Sequence, residues 1–202
     1  MLKDRIIRAA TALYARYGIK KVSMDNISEI LHISKRTIYR EFASKEELLS
    51  ECFNRELRKI NVITEAIREK SGSALEEILV TCRILSDCYT ALCPAFYRDV
   101  IRYPSIQKNW NRYLESLRAR CEENFNRGAR EGDFLPDQNY ELISMIFIEQ
   151  VWRLKQPYQM SIIMNILRGQ CTPAGIDKLN ALIEREQIKN PENIEYQIED
   201  EL

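Results

Sequence analysis

Apolar residues recur along this chain at the three- and four-residue spacings of amphipathic helices, and its six Gly and six Pro fall between those periodic segments. Ile6, Ile7, Ala10, Leu13, Tyr14 and Tyr17 mark the inner face of a helix from about residue 3 to 17, which Gly18 closes. Ser23 is placed to cap a second helix, with Asp25 in its first turn and Ile27, Ile30 and Leu31 as its buried stripe. His32 and Ile33 make a tight turn. Ser34 caps a short third helix, 35 to 42, whose Ile38 and Phe42 face inward. These three segments are expected to form a unit with its own small core.

Ser44, Lys45, Glu46 and Glu47 spell a capping box, in which a hydroxyl and a carboxylate satisfy each other's free backbone N–H groups. It opens a long helix to about Lys70, with Leu48, Leu49, Cys52, Phe53, Leu57 and Ile60 on its apolar side. Ser71, Gly72 and Ser73 break the chain, and a helix from about Ala74 to Cys93 stops at Pro94. A short helix passes through Phe96 and Val100 to Tyr103 and Pro104. From 105 to 130 runs an amphipathic helix striped by Ile106, Trp110, Tyr113, Leu114, Leu117, Cys121 and Phe125. After a loop at 132–137, the segment from about Asn139 to Lys155 is apolar almost all round between Leu142 and Ile148, and Met160 to Leu167 is similar. Such helices need cover on more than one side. Both are expected to pack against their copies in a homodimer, the alternative being burial within one subunit. Thr172 and Pro173 start a last helix. Beyond Gln187 the chain becomes an acidic tail, expected to be frayed. The predicted fold class is all-α, an N-terminal three-helix helix-turn-helix unit followed by a helical ligand-binding and dimerisation domain. Its expected divisions are 1–47, 48–187 and the tail 188–202.

Composition changes this picture in one respect. The net charge is +0, yet positions 1–50 carry 10 basic against 6 acidic residues and the remainder 20 against 24. Such asymmetry assigns a polyanionic partner to the first part only. Arg8 and Arg16 interrupt any secretory h-region, and the longest uncharged run, Gln156 to Leu167, falls short of the ~20 residues a membrane span needs. A cytoplasmic protein with no membrane partner is expected. The six cysteines are scattered without a C-x-x-C pair, which reads as buried thiols in a reducing compartment.

The candidate chemistry lies on the third helix. Lys35 and Arg36 stand at its front, where the helix dipole favours anions, so these cations are expected to seek an external anion, and DNA phosphate is the obvious one. A helix-turn-helix with a basic second helix is a DNA reader.

The string Ser-Lys-Arg-Thr-Ile-Tyr-Arg-Glu-Phe at 34–42, followed by Ser-Lys-Glu-Glu-Leu-Leu at 44–49, resembles the TetR family of bacterial transcriptional regulators. Ala10, Leu13, Tyr14 and Gly18 of the first helix fit the same pattern, so the resemblance covers roughly residues 5 to 50. It implies a homodimer on a palindromic double-stranded DNA operator, usually repressing, released when a small-molecule effector binds the C-terminal helices. One position departs from the pattern, because the turn carries His32 where Gly is common. His tolerates a left-handed backbone better than most residues, so the turn is expected to be kept.

By position and resemblance, Lys35, Arg36 and Thr37 face DNA. Arg36 is expected to read a base edge, since a guanidinium reaches guanine O6 and N7 together. Thr37 and Arg40 meet bases or phosphate, while Tyr39, Lys45 and Ser23 hold phosphate and set register. For the effector, Tyr89, Tyr97, Trp110, Tyr113 and Trp152 are candidate pocket aromatics, alternatively plain core. Glu149, with Gln150 and Arg153, is expected to orient a ligand or pair across the dimer. No cofactor, metal site or catalytic residue is expected: the one His lies in a turn, and no Gly-rich phosphate loop occurs. Two alternatives stay open, a helical interaction module that has lost DNA reading and a cysteine-based redox switch.

Overall fold

The computed structural model describes residues 1–90, 94–100, 102–153 and 158–188, with side chains except at 88–90, 94, 97, 150–153, 158–159 and 186–188. Among these residues the elements are all helical: α1 (Leu2–Tyr17), α2 (Met24–Leu31), α3 (Lys35–Glu41), α4 (Lys45–Lys70), α5 (Ala74–Thr90), α6 (Pro94–Val100), α7 (Pro104–Glu131), α8 (Tyr140–Arg153), α9 (Tyr158–Gln170) and α10 (Pro173–Ile188). The expected acidic tail lies outside the described residues, apart from Ile188.

Two apolar clusters organise the chain. The first joins Ile6, Ile7, Ala10 and Tyr14 of α1 to Ile27, Ile38 and Phe42, and to Leu48, Leu49 and Cys52 of α4. The second centres on α5, α7, α8, α9 and α10, with Phe125, Phe134 and Phe147 fully buried. α4 contributes to both, since Leu57 and Ile60 pack against the second.

α4 and α7 run parallel. Hydrogen bonds join Ser50 to Ser105, Asn109 to Asn54, Arg120 to Glu65 and Arg68 to Glu123, each pair 55 positions apart. A constant offset is the mark of parallel helices; antiparallel ones would keep a constant sum. α6 packs on the turn after α1. There the buried Asp99 carboxylate accepts the Lys20 backbone N–H at 2.6 Å. A Cβ on Gly18 would lie 2.7 Å from that of Ala95, so only glycine admits α6 this closely. Gly18 also has φ of 84°, a region that favours glycine.

Several expectations need correction. Ile30 is 49% exposed rather than buried, and Tyr17 is 45% exposed, with the Arg16 guanidinium over its ring. Each lies on the edge of its stripe, where the neighbouring helices offer no cover. α3 ends at Glu41, one residue early, with Phe42 as its extended but buried cap. In the capping box before α4, Ser44 accepts the Glu47 N–H, but the Glu47 carboxylate takes the N–H of Ala43 rather than that of Ser44. In α9, Ile163 and Leu167 are buried and Ile162, Met164 and Ile166 partly so. α8 does present apolar side chains outward, namely Leu142, Met145 and Ile146.

Candidate nucleic-acid interface

Local hydrogen bonding builds this surface from its two cap residues. At the start of α2, the Ser23 hydroxyl accepts the Asn26 N–H at 3.1 Å, and the Asn26 side chain accepts the Ser23 N–H at 2.9 Å. This reciprocal cap satisfies two free donors. The spacing Ser23-x-x-Asn26 was its only signal in the sequence. The chain leaves α2 through His32, at φ 52° and ψ 43°, the left-handed conformation the turn requires. Its N–H returns to Glu29 and Ser28 carbonyls, and the Ile33 N–H bonds Ser28 at 3.1 Å. Ser34 then caps α3, accepting the Thr37 N–H at 3.1 Å.

α3 is seated by its inner face. Ile38 is fully buried, worth about 1.5–3 kcal/mol. An exposed ion pair is worth about 0–1 kcal/mol. Packing therefore fixes how α3 is rotated, and the charged side chains follow. Lys35, Arg36, Tyr39 and Arg40 all stand exposed. At 3.6 residues per turn they span an arc of about 140° that begins about 60° from Ile38 and extends past the far side of the helix.

The structure gives several predicted site residues partners of their own. Lys35, expected to seek an external anion, has an internal one: its ammonium donates to the Asp25 carboxylate at 2.9 Å, which holds its pKa above the usual lysine value. Sequence reading placed Asp25 only as a helix-dipole residue and missed this contact. Thr37 and Ser34 hydroxyls bond each other at 2.7 Å. Lys45 points back into the molecule, donating to the Ile19 carbonyl at 2.6 Å, and partial burial pushes its pKa down. Arg36 and Tyr39 stay at the surface, and Arg40 lies 3.9 Å from the carboxylate of its neighbour Glu41.

Of the effector candidates, Trp110, Tyr113 and Glu149 have described side chains. Trp110 packs edge-on to Phe53 of α4 at 5.9 Å and against Tyr113 at 5.8 Å, and Tyr113 is buried in the second cluster. Glu149 is half-exposed beside Arg118 at 3.8 Å. The side chains of Tyr89, Tyr97 and Trp152, with Gln150 and Arg153, lie outside the described residues. An open groove of about 400 Å³ lies between Arg55, Arg58, Lys59, Val62 and Ile63, and none of the candidates lines it. Among the described residues no helix is long and apolar enough to cross a membrane, and no group of His, Cys, Asp and Glu is placed to hold a metal ion.

Residues 6–52 match the family model described as bacterial regulatory proteins, tetR family. The HTH-type transcriptional regulator YhgD of Bacillus subtilis is 32% identical over 77 residues, which are 38% of this chain and 37% of that protein. The chain thus matches little more than a third of that relative's length. A TetR-family transcriptional regulator from Marinobacter aquaeolei superimposes with a TM-score of 0.76 at 15% identity, over 95% of this chain and 100% of the other. A transcriptional regulator from Saccharomonospora viridis, solved in complex with choline, gives 0.69 at 20% identity over 91% and 95%. The matched family segment begins inside α1 and ends in the first turns of α4, so it encloses the helix-turn-helix whole. Residues 6–52 thus match the tetR family of bacterial regulatory proteins, and α1 to α3 form the helix-turn-helix DNA-binding unit of that match.

Proposed function

We propose that this regulator is a repressor which binds a palindromic operator as a homodimer in the cytoplasm and lets go when a small molecule enters its C-terminal helices. The observation that carries the reading is the outer arc of α3, where Lys35, Arg36, Tyr39 and Arg40 stand together on a helix locked in place by Ile38 and Phe42. An arc of this width suits a major groove.

In this reading Arg36 contacts a guanine edge, and Thr37 and Arg40 meet bases or phosphate. Tyr39 and Lys35 donate to phosphate, and the Ser23 hydroxyl, which donates to Asn26 Oδ1 at 2.7 Å, turns to phosphate on binding. Lys45 already donates one of its three N–H groups to the Ile19 carbonyl, and its others serve a phosphate near the first turn of α4. Residues 1–47 read DNA, and 48–187 dimerise and sense the effector. Leu142, Met145 and Ile146 on α8 supply the exposed apolar surface for a second copy. The choline held by the Saccharomonospora protein favours a small-molecule effector for this chain too, of its own kind. α4 and α6 touch both the reading unit and the remainder, so they are the elements through which release would travel.

The test is binding to the DNA upstream of the coding region, followed by fluorescence anisotropy at fixed salt. Arg36→Ala combined with Tyr39→Phe is expected to weaken it by at least about tenfold, since a bidentate base contact alone is worth about 1–3 kcal/mol. Unchanged affinity refutes the assignment of this surface.

A further inference from the structure

The ion pair between α2 and α3 sits on the face assigned to DNA and has no part in the core. Lys35 Nζ lies 2.9 Å from Asp25 Oδ2, ten residues away, and the two side chains are 48% and 57% exposed. A carboxylate on a phosphate-binding surface opposes binding, and its place in the first turn of α2 is worth only about 0.3–1 kcal/mol to that helix. An exposed pair contributes little stability. We propose that Asp25 sets DNA specificity: it holds the Lys35 ammonium and withholds that charge from phosphates that approach out of register. The proposal rests on the DNA reading given above.

The two kinds of complex form differently. Binding to arbitrary DNA uses charge alone, and its salt dependence counts the phosphates neutralised. There the pair stays closed and contributes nothing, while the carboxylate lowers the effective charge of the face by one. At the operator, base contacts from α3 fix the helix in the groove and bring one phosphate within reach of Lys35 for long enough to take the ammonium from Asp25. Because the pair is exposed, that exchange is cheap. Asp25 therefore weakens non-specific binding more than operator binding.

The experiment compares wild type, Asp25→Asn, Lys35→Met and the double variant. Each is titrated with a bound upstream duplex and with a shuffled duplex of equal length, over a range of salt. Both residues are exposed, so all four proteins are expected to fold, with circular dichroism as the control. Asp25→Asn is expected to tighten shuffled-duplex binding about two- to fivefold, the range set by an exposed pair. It should also steepen the salt dependence by about 0.9, and to lower the ratio of operator to shuffled affinity. In the Lys35→Met background those changes should vanish. Unchanged slope and affinity in Asp25→Asn, beside intact wild-type binding, overturn the proposal alone. Equal changes in the Lys35→Met background also overturn it, because the carboxylate would then act by direct repulsion. Absence of salt-dependent binding by the wild type overturns the DNA reading, and the proposal falls with it.

Discussion

Two helical glycines make opposite predictions and test the packing that holds α8 in place. Gly175 lies in the first turn of α10, where its N–H bonds the capping Thr172 hydroxyl at 3.1 Å. A Cβ built there would fall 1.9 Å from the Asp133 carbonyl oxygen and 2.9 Å from its carbon. The loop would have to retreat by more than about 1 Å to reach an ordinary contact. That carbonyl accepts the Thr172 N–H at 3.0 Å, and the same loop is tied by Leu135 N–H to Gln170 at 2.8 Å and by Lys178 to Asp133 at 2.5 Å. Overpacking costs about 1–3 kcal/mol and a lost hydrogen bond about 0.5–1.5 kcal/mol. Better helix propensity offsets up to about 1 kcal/mol. Gly175→Ala is thus expected to destabilise by about 2–3 kcal/mol, a fall in Tm of about 4–12 °C for a chain this long. Gly169 in α9 has nothing within 4 Å of its would-be Cβ. Gly169→Ala is therefore expected to stabilise, by at most about 1 kcal/mol. The assay is thermal and urea unfolding by circular dichroism, with all proteins at one protomer concentration, because oligomer stability depends on it. If Gly175→Ala proves as stable as wild type, the close approach of α10 to the α7–α8 loop is wrong.

Met145→Glu with Ile146→Glu is expected to give a folded monomer by light scattering at concentrations where wild type is dimeric; a persistent dimer of wild-type stability would place the interface elsewhere. Burial pushes the thiols of Cys52 and Cys171 up to about 11 and that of Cys121 to about 12, and raises Cys82 as well. At pH 7 thiol then exceeds thiolate by about 10⁴-fold or more, and only the thiolate reacts. Alkylation of native protein followed by peptide mapping is expected to leave these four unmodified until urea is added, and native labelling as fast as in urea would restore the redox-switch alternative for them.

Much of this molecule follows from short stretches of chain. Helix periodicity, the caps at Ser23, Ser34 and Thr172, and the left-handed turn at His32 are decided within a few residues, and each is found where the sequence predicts it. The exposure of Lys35, Arg36, Tyr39 and Arg40 follows as well, since Ile38 and Phe42 must turn inward. What lay beyond the sequence depends on which distant segments meet. Periodicity names an apolar stripe but not how far the neighbouring helix extends over it, so Ile30 and Tyr17 stayed uncovered. It ranks Lys45 and Lys35 together as free cations, although packing gives one the Ile19 carbonyl and the other the Asp25 carboxylate. The parallel seam of α4 and α7 carries polar pairs whose partners lie 55 positions apart, and no local pattern encodes such a pairing. Local energies chose the helices; only contacts between remote segments decided which of their charges remained available to a partner.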